Sequence, residues 1–349
     1  MEHTKIIESK NKIENIASHA EWELRKKITN PYEAIFSGNT DNTFPSLAKV
    51  HPLSRSYFKM IEMFSVSDFW KRVDQTLPFK SAHVCEGPGG FIQATVEKLK
   101  SKNIPIDAIY AMTLRPTKPH IPGWRRSIQF LRKYPEIKLE YGEDDTGNIL
   151  LHENQKSFSD KACGSQLFTA DGGFDFSVDY ANQEQMAFPL LVASFIIGLT
   201  CLAKGGTMII KLFDIYSPAT IDLFLGTARL FESFTLYKPA TSRPCNSERY
   251  FIANSYNGPT HSDSRTWVEH LRYVSVAHKM VPITRLFENP WPSEIIDAVR
   301  EHIEAQELQQ INVIEATLNF EKSNLEKCIS HNLKMSKMWC EEFEVPYSV

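Results

Sequence analysis

The sequence predicts an α/β protein: a largely parallel sheet with helices on both faces. Three observations carry that prediction. Apolar, β-rich runs alternate with helical stretches between residues 80 and 254, the pattern of repeated strand–helix–strand units. Some of these runs are too continuously apolar for a strand with one wet face. Gly206-Thr207-Met208-Ile209-Ile210-Lys211-Leu212-Phe213 is the clearest, and strands buried on both faces mark parallel sheets. Acids and glycines stand where such runs end, at Glu86-Gly87-Pro88-Gly89-Gly90 and Asp171-Gly172-Gly173, which is where an open parallel sheet carries its functional loops.

The order along the chain begins with residues 1–50, helical and then loose. Ile6, Ile7, Ile13, Ile16, Trp22 and Leu24 are spaced loosely for an amphipathic helix, which Asn30, Pro31 and Pro45 break. Arg55 to Phe64 predicts a helix, with Tyr57, Phe58, Ile61 and Phe64 on one face and Lys59 off that stripe. Ser81 to Gly90 predicts a strand and a glycine turn, followed by a helix from about Phe91 to Lys100. Such a turn offers free backbone N–H groups at the helix start. Its acid, Glu86, suits a ligand carrying an amino or sulfonium charge better than a pyrophosphate. Strands are expected at Ile106–Leu114, Ile137–Tyr141, Leu167–Ala170, Ser233–Tyr237 and Arg249–Ala253, and a helix at about Pro218–Phe231. Beyond 254 the chain turns helical again, with a start at Ser293, one apolar face at Ile295, Ile296, Val299 and Ile303, and a second stripe from Ile311 to Ile329.

Composition bounds the class. The 349 residues hold one large domain, or one with extensions. A net charge of −3 excludes a generally basic protein, so nucleic-acid binding must come from a local patch. None of the six cysteines forms a CxxC pair, so no metal site is expected and a reducing compartment is. The N-terminus is charged and shows no signal peptide. The expected location is intracellular: cytoplasmic for a viral protein, nuclear or cytoplasmic otherwise. Met186 to Ala203 carries no charge and approaches the length of a membrane span. Pro189, Ser194, Gly198 and Thr200 interrupt it, so a helix buried against the sheet is expected instead, with no membrane contact.

Lys211 is the anomaly, because an unpaired ammonium in a buried strand is very costly. It must stand at the strand's open end or have partners. Between Ala108 and Pro135 lie six basic residues and no acid: Arg115, Lys118, Arg125, Arg126, Arg132 and Lys133, with His120 and Trp124 among them. That concentration suits phosphate.

Five segments, in order, resemble the FtsJ-like ribose 2′-O-methyltransferases, most closely the branch that methylates mRNA caps. They are RSYFKMIE (55–62), VCEGPGGF (84–91), LFTADGG (167–173), IIKLF (209–213) and KPATSRPCNSERYFI (238–252). The resemblance implies a Rossmann-like sheet of seven strands, the last antiparallel, over 51–254, with helical extensions at 1–50 and 255–349. It implies S-adenosyl-L-methionine as cofactor, held by Glu86, Gly87, Pro88, Gly89, Gly90 and Phe91. It implies a catalytic tetrad of Lys59, Asp171, Lys211 and Glu248. Many such enzymes place an acid after the second strand for the cofactor ribose; here Thr113 stands in AMTLRP. Asp145 is the candidate for the adenine edge, with Asp144 as its substitute. Capped mRNA would be the partner, contacted by Arg115, Lys118, Trp124, Arg125, Arg126, Ser242 and Arg243. The C-terminal helices would suit a protein partner or self-association.

A ribose hydroxyl is barely ionised at neutral pH, so transfer to it needs a base and in-line alignment. A lysine is a base only when neutral, and its ordinary value is about 10.4. Burial and a nearby like charge depress it. Lys211 is therefore expected as the base, with Lys59 as the neighbouring positive charge that depresses it; Asp171 and Glu248 oppose that shift, orient the pair and offset Lys59, so the net sign is left to the fold. Two alternatives stay open: a ribosomal or transfer RNA ribose methyltransferase, and a methyltransferase-like module that binds RNA or protein without turnover.

Overall fold

The computed structural model describes residues 4–13, 16, 18–37, 46–117, 123–173, 183–289 and 291–348. Two helices, α1 (Thr4–Lys12) and α2 (His19–Ile28), precede α3 (Ser56–Val66) and the short α4 (Phe69–Arg72). The first half of the sheet follows: β1 (Phe79–Val84), α5 (Gly90–Ser101), β2 (Ile106–Met112), α6 (Ile128–Lys133) and β3 (Ile137–Glu140). After α7 (His152–Lys161) come β4 (Ser165–Ala170), α8 (Gln183–Cys201), β5 (Leu202–Leu212), α9 (Pro218–Ala228), β6 (Phe231–Tyr237) and β7 (Arg249–Tyr256). Three helices end the chain: α10 (Ser262–Ala277), α11 (Ser293–Leu318) and α12 (Leu325–Glu342).

The strands form one sheet in the order β3-β2-β1-β4-β5-β7-β6. Pairing is parallel from β3 to β5, and β7 is antiparallel to both its neighbours. The expected seven strands with an antiparallel last member are therefore present. From β1 the chain winds outward through β2 and β3, then returns to β4 and winds the other way. Loops at such a switch point splay apart and leave a crevice beyond the strand ends.

Alternation along the strands feeds a core on each face. Met208 and Ile210 join one cluster with Phe168, Phe195 and Phe251 beneath α8, while Ile209 joins the other with Phe58, Phe91 and Ile252 beneath α3 and α5. Lys211 follows Ile209's side of the strand. The apolar helix α8 lies in the first cluster, most of it buried inside the protein.

Three details depart from expectation. The Lys211 strand begins earlier than its apolar run, with Gly205 and Gly206 inside β5. Pairing jumps from Ser165↔Leu202 to Leu167↔Thr207, and Gly205 at φ +81° supports the bulge. Helix α7 was not foreseen, because HENQKSFSDK carries a single large apolar residue, Phe158. Helix α10 lies in the stretch expected to be helical but was not singled out, although Trp267, Val268, Leu271 and Val274 form a buried stripe.

The extensions pack on the sheet domain. Trp339 of α12 meets Phe58 edge-on at 5.7 Å, and Ala48 pairs with Tyr347 across an isolated bridge. Ile6, Trp22 and Ile314 enclose Cys245. On α11, Ile303 is buried and Ile296 and Val299 are partly so, but Ile295 is exposed, so the expected apolar face is narrower by one residue. All six cysteines are free thiols, and Cys163, in the turn between α7 and β4, is the exposed one.

Candidate active site

Parallel strands end on the same rim, so Glu86 after β1, Asp171 after β4 and Lys211 near the end of β5 come together. Glu248 reaches the same rim because β7 runs the other way and begins there, with Tyr250 opposite Lys211. Helix α3 adds Lys59, whose ammonium lies 2.5 Å from Glu248 Oε1 with 14% of the side chain exposed. It is not a solvated lysine. Lys211 Nζ donates to the Asp171 carbonyl at 2.8 Å and lies 3.2 Å from its Oδ1. The Tyr250 hydroxyl joins the two pairs, 2.8 Å from Asp171 Oδ1 and 3.3 Å from Glu248 Oε1. The four residues expected to meet therefore form one linked network.

Its electrostatics supply a sign that the sequence leaves open. Burial pushes the Lys211 ammonium down, but Asp171 and Glu248 outweigh it and hold it above lysine's ordinary 10.5. The charged lysine is therefore the resting form. Lys59, expected as the neighbouring positive charge, is paired with Glu248, one of the two carboxylates expected to offset it. Burial also raises Glu248, yet Lys59 and Lys211 bring its carboxyl down to about 2.

The glycine turn is built around Glu86. Its Oε1 accepts the Phe91 N–H at 2.7 Å, so this donor at the start of α5 is not free for a ligand as expected. Its Oε2 is buried and has no hydrogen-bond partner among the described residues. Burial and the neighbouring Asp171 hold the carboxyl well above the usual carboxylate range. Gly89 adopts φ +104°, a conformation that favours glycine. Gly90 serves packing instead of ligand approach, since a Cβ there would stand 2.1 Å from Ser56 Oγ and 2.8 Å from the Tyr57 nitrogen. Gly90→Ala is expected to destabilise the protein by about 1–3 kcal/mol, measured by denaturant unfolding. Gly87 faces Thr113 and Gly123, and Phe91 is core, its ring 5.8 Å from Tyr250. Pro88 offers its carbonyl to Ser127.

The outlying candidates scatter. Asp145 is exposed and paired with Arg115 at 2.6 Å, and the Arg115 guanidinium stacks 3.8 Å over Tyr141. Both side chains are largely exposed, so the pair is a surface contact worth little. Asp144 is occupied by Thr146 and Asn154. Arg125 and Arg126 are exposed. Trp124 is buried, and its indole nitrogen has no partner among the described residues; it is a packed tryptophan, not a displayed stacking platform. Ser242 is buried with its hydroxyl likewise without a partner among them. Arg243 pairs with Glu33 at 3.1 Å, so it ties the loop to the N-terminal segment. Lys118 and His120 lie outside the described residues.

A family model described as FtsJ-like methyltransferase matches residues 52–256. The chain belongs to the FtsJ-like methyltransferases. A Dictyostelium discoideum protein named cap-specific mRNA (nucleoside-2'-O-)-methyltransferase 1 is 31% identical over 270 residues, which cover 71% of this chain and 33% of that protein. A Trypanosoma brucei brucei protein of the same name is 29% identical over 264 residues, 71% of this chain and 68% of that protein. A solved ribosomal RNA methyltransferase from Plasmodium falciparum is 17% identical, with a TM-score of 0.41 over 59% of this chain and 98% of that one.

In this FtsJ-like chain, two further polar residues belong to the rim and were not anticipated. Tyr250 was readable, because it stands two residues after Glu248 just as the chain enters β7, where alternate residues share a face. Lys238 is hidden from sequence reasoning inside a turn-rich loop. Its ammonium donates to the carbonyls of Asn246 (2.5 Å) and Glu248 (3.0 Å), and burial drives it down to about 8.

Proposed function

We propose that this chain transfers a methyl group from S-adenosyl-L-methionine to a ribose 2′-hydroxyl near the 5′ cap of mRNA. The observation that carries the reading is the linked network of Lys59, Asp171, Lys211, Glu248 and Tyr250 beside a glycine turn whose buried carboxylate oxygen lacks a partner among the described residues. That oxygen fits the amino group of the cofactor, and an acceptor without a donor is costly until one arrives. The cofactor, when bound, supplies an electrophilic methyl. Glu86 would hold its amino group, with Gly87, Gly89 and Thr113 shaping the turn.

The chain's own residues then orient the nucleophile and take its proton. Lys211 is charged at rest and must shed a proton before it accepts one. Lys59 and Glu248 neutralise each other at the mouth, and Tyr250 keeps Asp171 and Glu248 in register. The cap-specific names of the relatives favour capped mRNA over ribosomal or transfer RNA. The deciding experiment is methylation of matched capped and uncapped RNAs, with each of the first two riboses blocked in turn. Transfer to capped RNA alone is expected, and equal transfer to uncapped RNA would replace the cap reading.

Arg125 and Arg126, like Arg132 and Lys133 further along the basic segment, are exposed and available to phosphate. Reversing the charges of Arg125 and Arg126 is expected to weaken RNA binding and to flatten its salt dependence. The log–log slope should fall by about 0.7 for each single-strand phosphate that is no longer neutralised. Titrations at several salt concentrations measure this, and an unchanged slope removes the patch.

A further inference from the structure

Arg55, Lys59 and Glu62 are spaced four and three residues apart, so they share one face of α3. This face is charged and buried, next to the apolar stripe. Arg55 Nε donates to the Thr241 carbonyl at 3.0 Å, and its terminal nitrogens reach the carbonyls of Phe36 at 2.7 Å and Tyr32 at 2.9 Å. Glu62 is fully buried. Its oxygens accept from the Tyr237 hydroxyl (2.8 Å), the Ala240 N–H (2.6 Å), the Thr241 N–H (2.8 Å) and hydroxyl (2.6 Å), and the Trp339 indole (3.1 Å). These donors lie on β6, on the loop carrying Glu248, and on α12. The far end of that loop is closed by Lys238, which donates to Asn246 and Glu248. A buried carboxylate contributes little net stability even when fully bonded, and its better-attested use is to fix one arrangement.

We propose that Glu62 is a positioning residue for the Lys59–Glu248 pair: it holds residues 237–241 and Trp339 against α3, so the loop delivers Glu248 onto Lys59. Helix α12 thereby becomes part of the active-site scaffold. The inference rests on the methyl-transfer reading above, and it names a residue that acts through others.

The test is Glu62→Gln, alone and combined with Glu248→Gln. Glutamine keeps the size and one acceptor but turns an amide donor toward the donors. The expected result is a fall in kcat of about tenfold to a hundredfold, with cofactor affinity unchanged by calorimetry. In the Glu248→Gln background the loss should largely disappear, because the pair is already broken. An equal loss in both backgrounds overturns the proposal. Tyr237→Phe and Trp339→Phe, each deleting one donor, should act in the same direction if Glu62→Gln does not fold. A second readout is independent of turnover: NMR titration of the Glu248 carboxyl. In the wild type it should stay ionised in mild acid, and in folded Glu62→Gln it should begin to take up a proton there. An unchanged titration overturns the positioning role even if the wild type methylates nothing. A wild type inactive on all RNAs, with the titration displaced, overturns the functional reading alone.

Discussion

Lys211→Ala and Lys211→Arg are both expected to lower methyl transfer by about a hundredfold to ten-thousandfold, the range of a positioned proton acceptor, in a single-turnover assay. Arginine is the sharper probe, since it keeps the charge but cannot be deprotonated. The pH dependence has a definite sign. Asp171 and Glu248 hold Lys211 above 10.5, against burial, so the neutral form is scarce at pH 7 and grows about tenfold per pH unit. The wild-type rate should climb with pH across the neutral and mildly alkaline range without a plateau. A profile flat from neutrality upward, or an active arginine variant, would move the base elsewhere. The same pairing stabilises the fold fully below lysine's ordinary value, and that contribution is lost as pH rises through the raised one.

Glu86→Gln is expected to weaken S-adenosyl-L-methionine binding by about tenfold to a hundredfold, the worth of a hydrogen bond to a charged group. The side-chain carbonyl that remains can still accept the Phe91 N–H, so the turn should persist. Because burial and Asp171 hold the wild-type carboxyl raised, while a cationic amine favours the ionised form, binding should release a proton. Affinity should then rise with pH between the ordinary and the raised value, and that dependence should vanish in the variant. Calorimetry in buffers of different ionisation enthalpy measures both effects. Equal affinities for the two proteins would place the amino group away from Glu86.

What the sequence disclosed follows from how local each signal was. Glu86, Asp171 and Lys211 could be placed because a parallel sheet brings strand ends to one rim. Lys59 and Glu248 could not be placed by spacing alone; only the ordered set of five motifs joined them. Glu62 went unseen because only apolar residues of α3 were read for periodicity, although a buried charged face repeats with the same period. The pairs that Arg115 and Arg243 make with Asp145 and Glu33 span 30 and 210 positions, and no local pattern announces such partners. The sign of the shift at Lys211 was equally out of reach, since it depends on distances to two carboxylates that only the fold sets.

The cysteines have a practical consequence. Cys163 is exposed just before β4, at the end of the sheet remote from Asp171, whereas Cys85, next to Glu86, is only partly exposed, and desolvation pushes its thiol up to about 12. Access and thiolate content both govern alkylation, so a maleimide dye should reach the exposed Cys163 ahead of Cys85 and leave the cleft chemically untouched. The native chain thus carries a ready-made handle for fluorescence or tethering, with no engineered substitution.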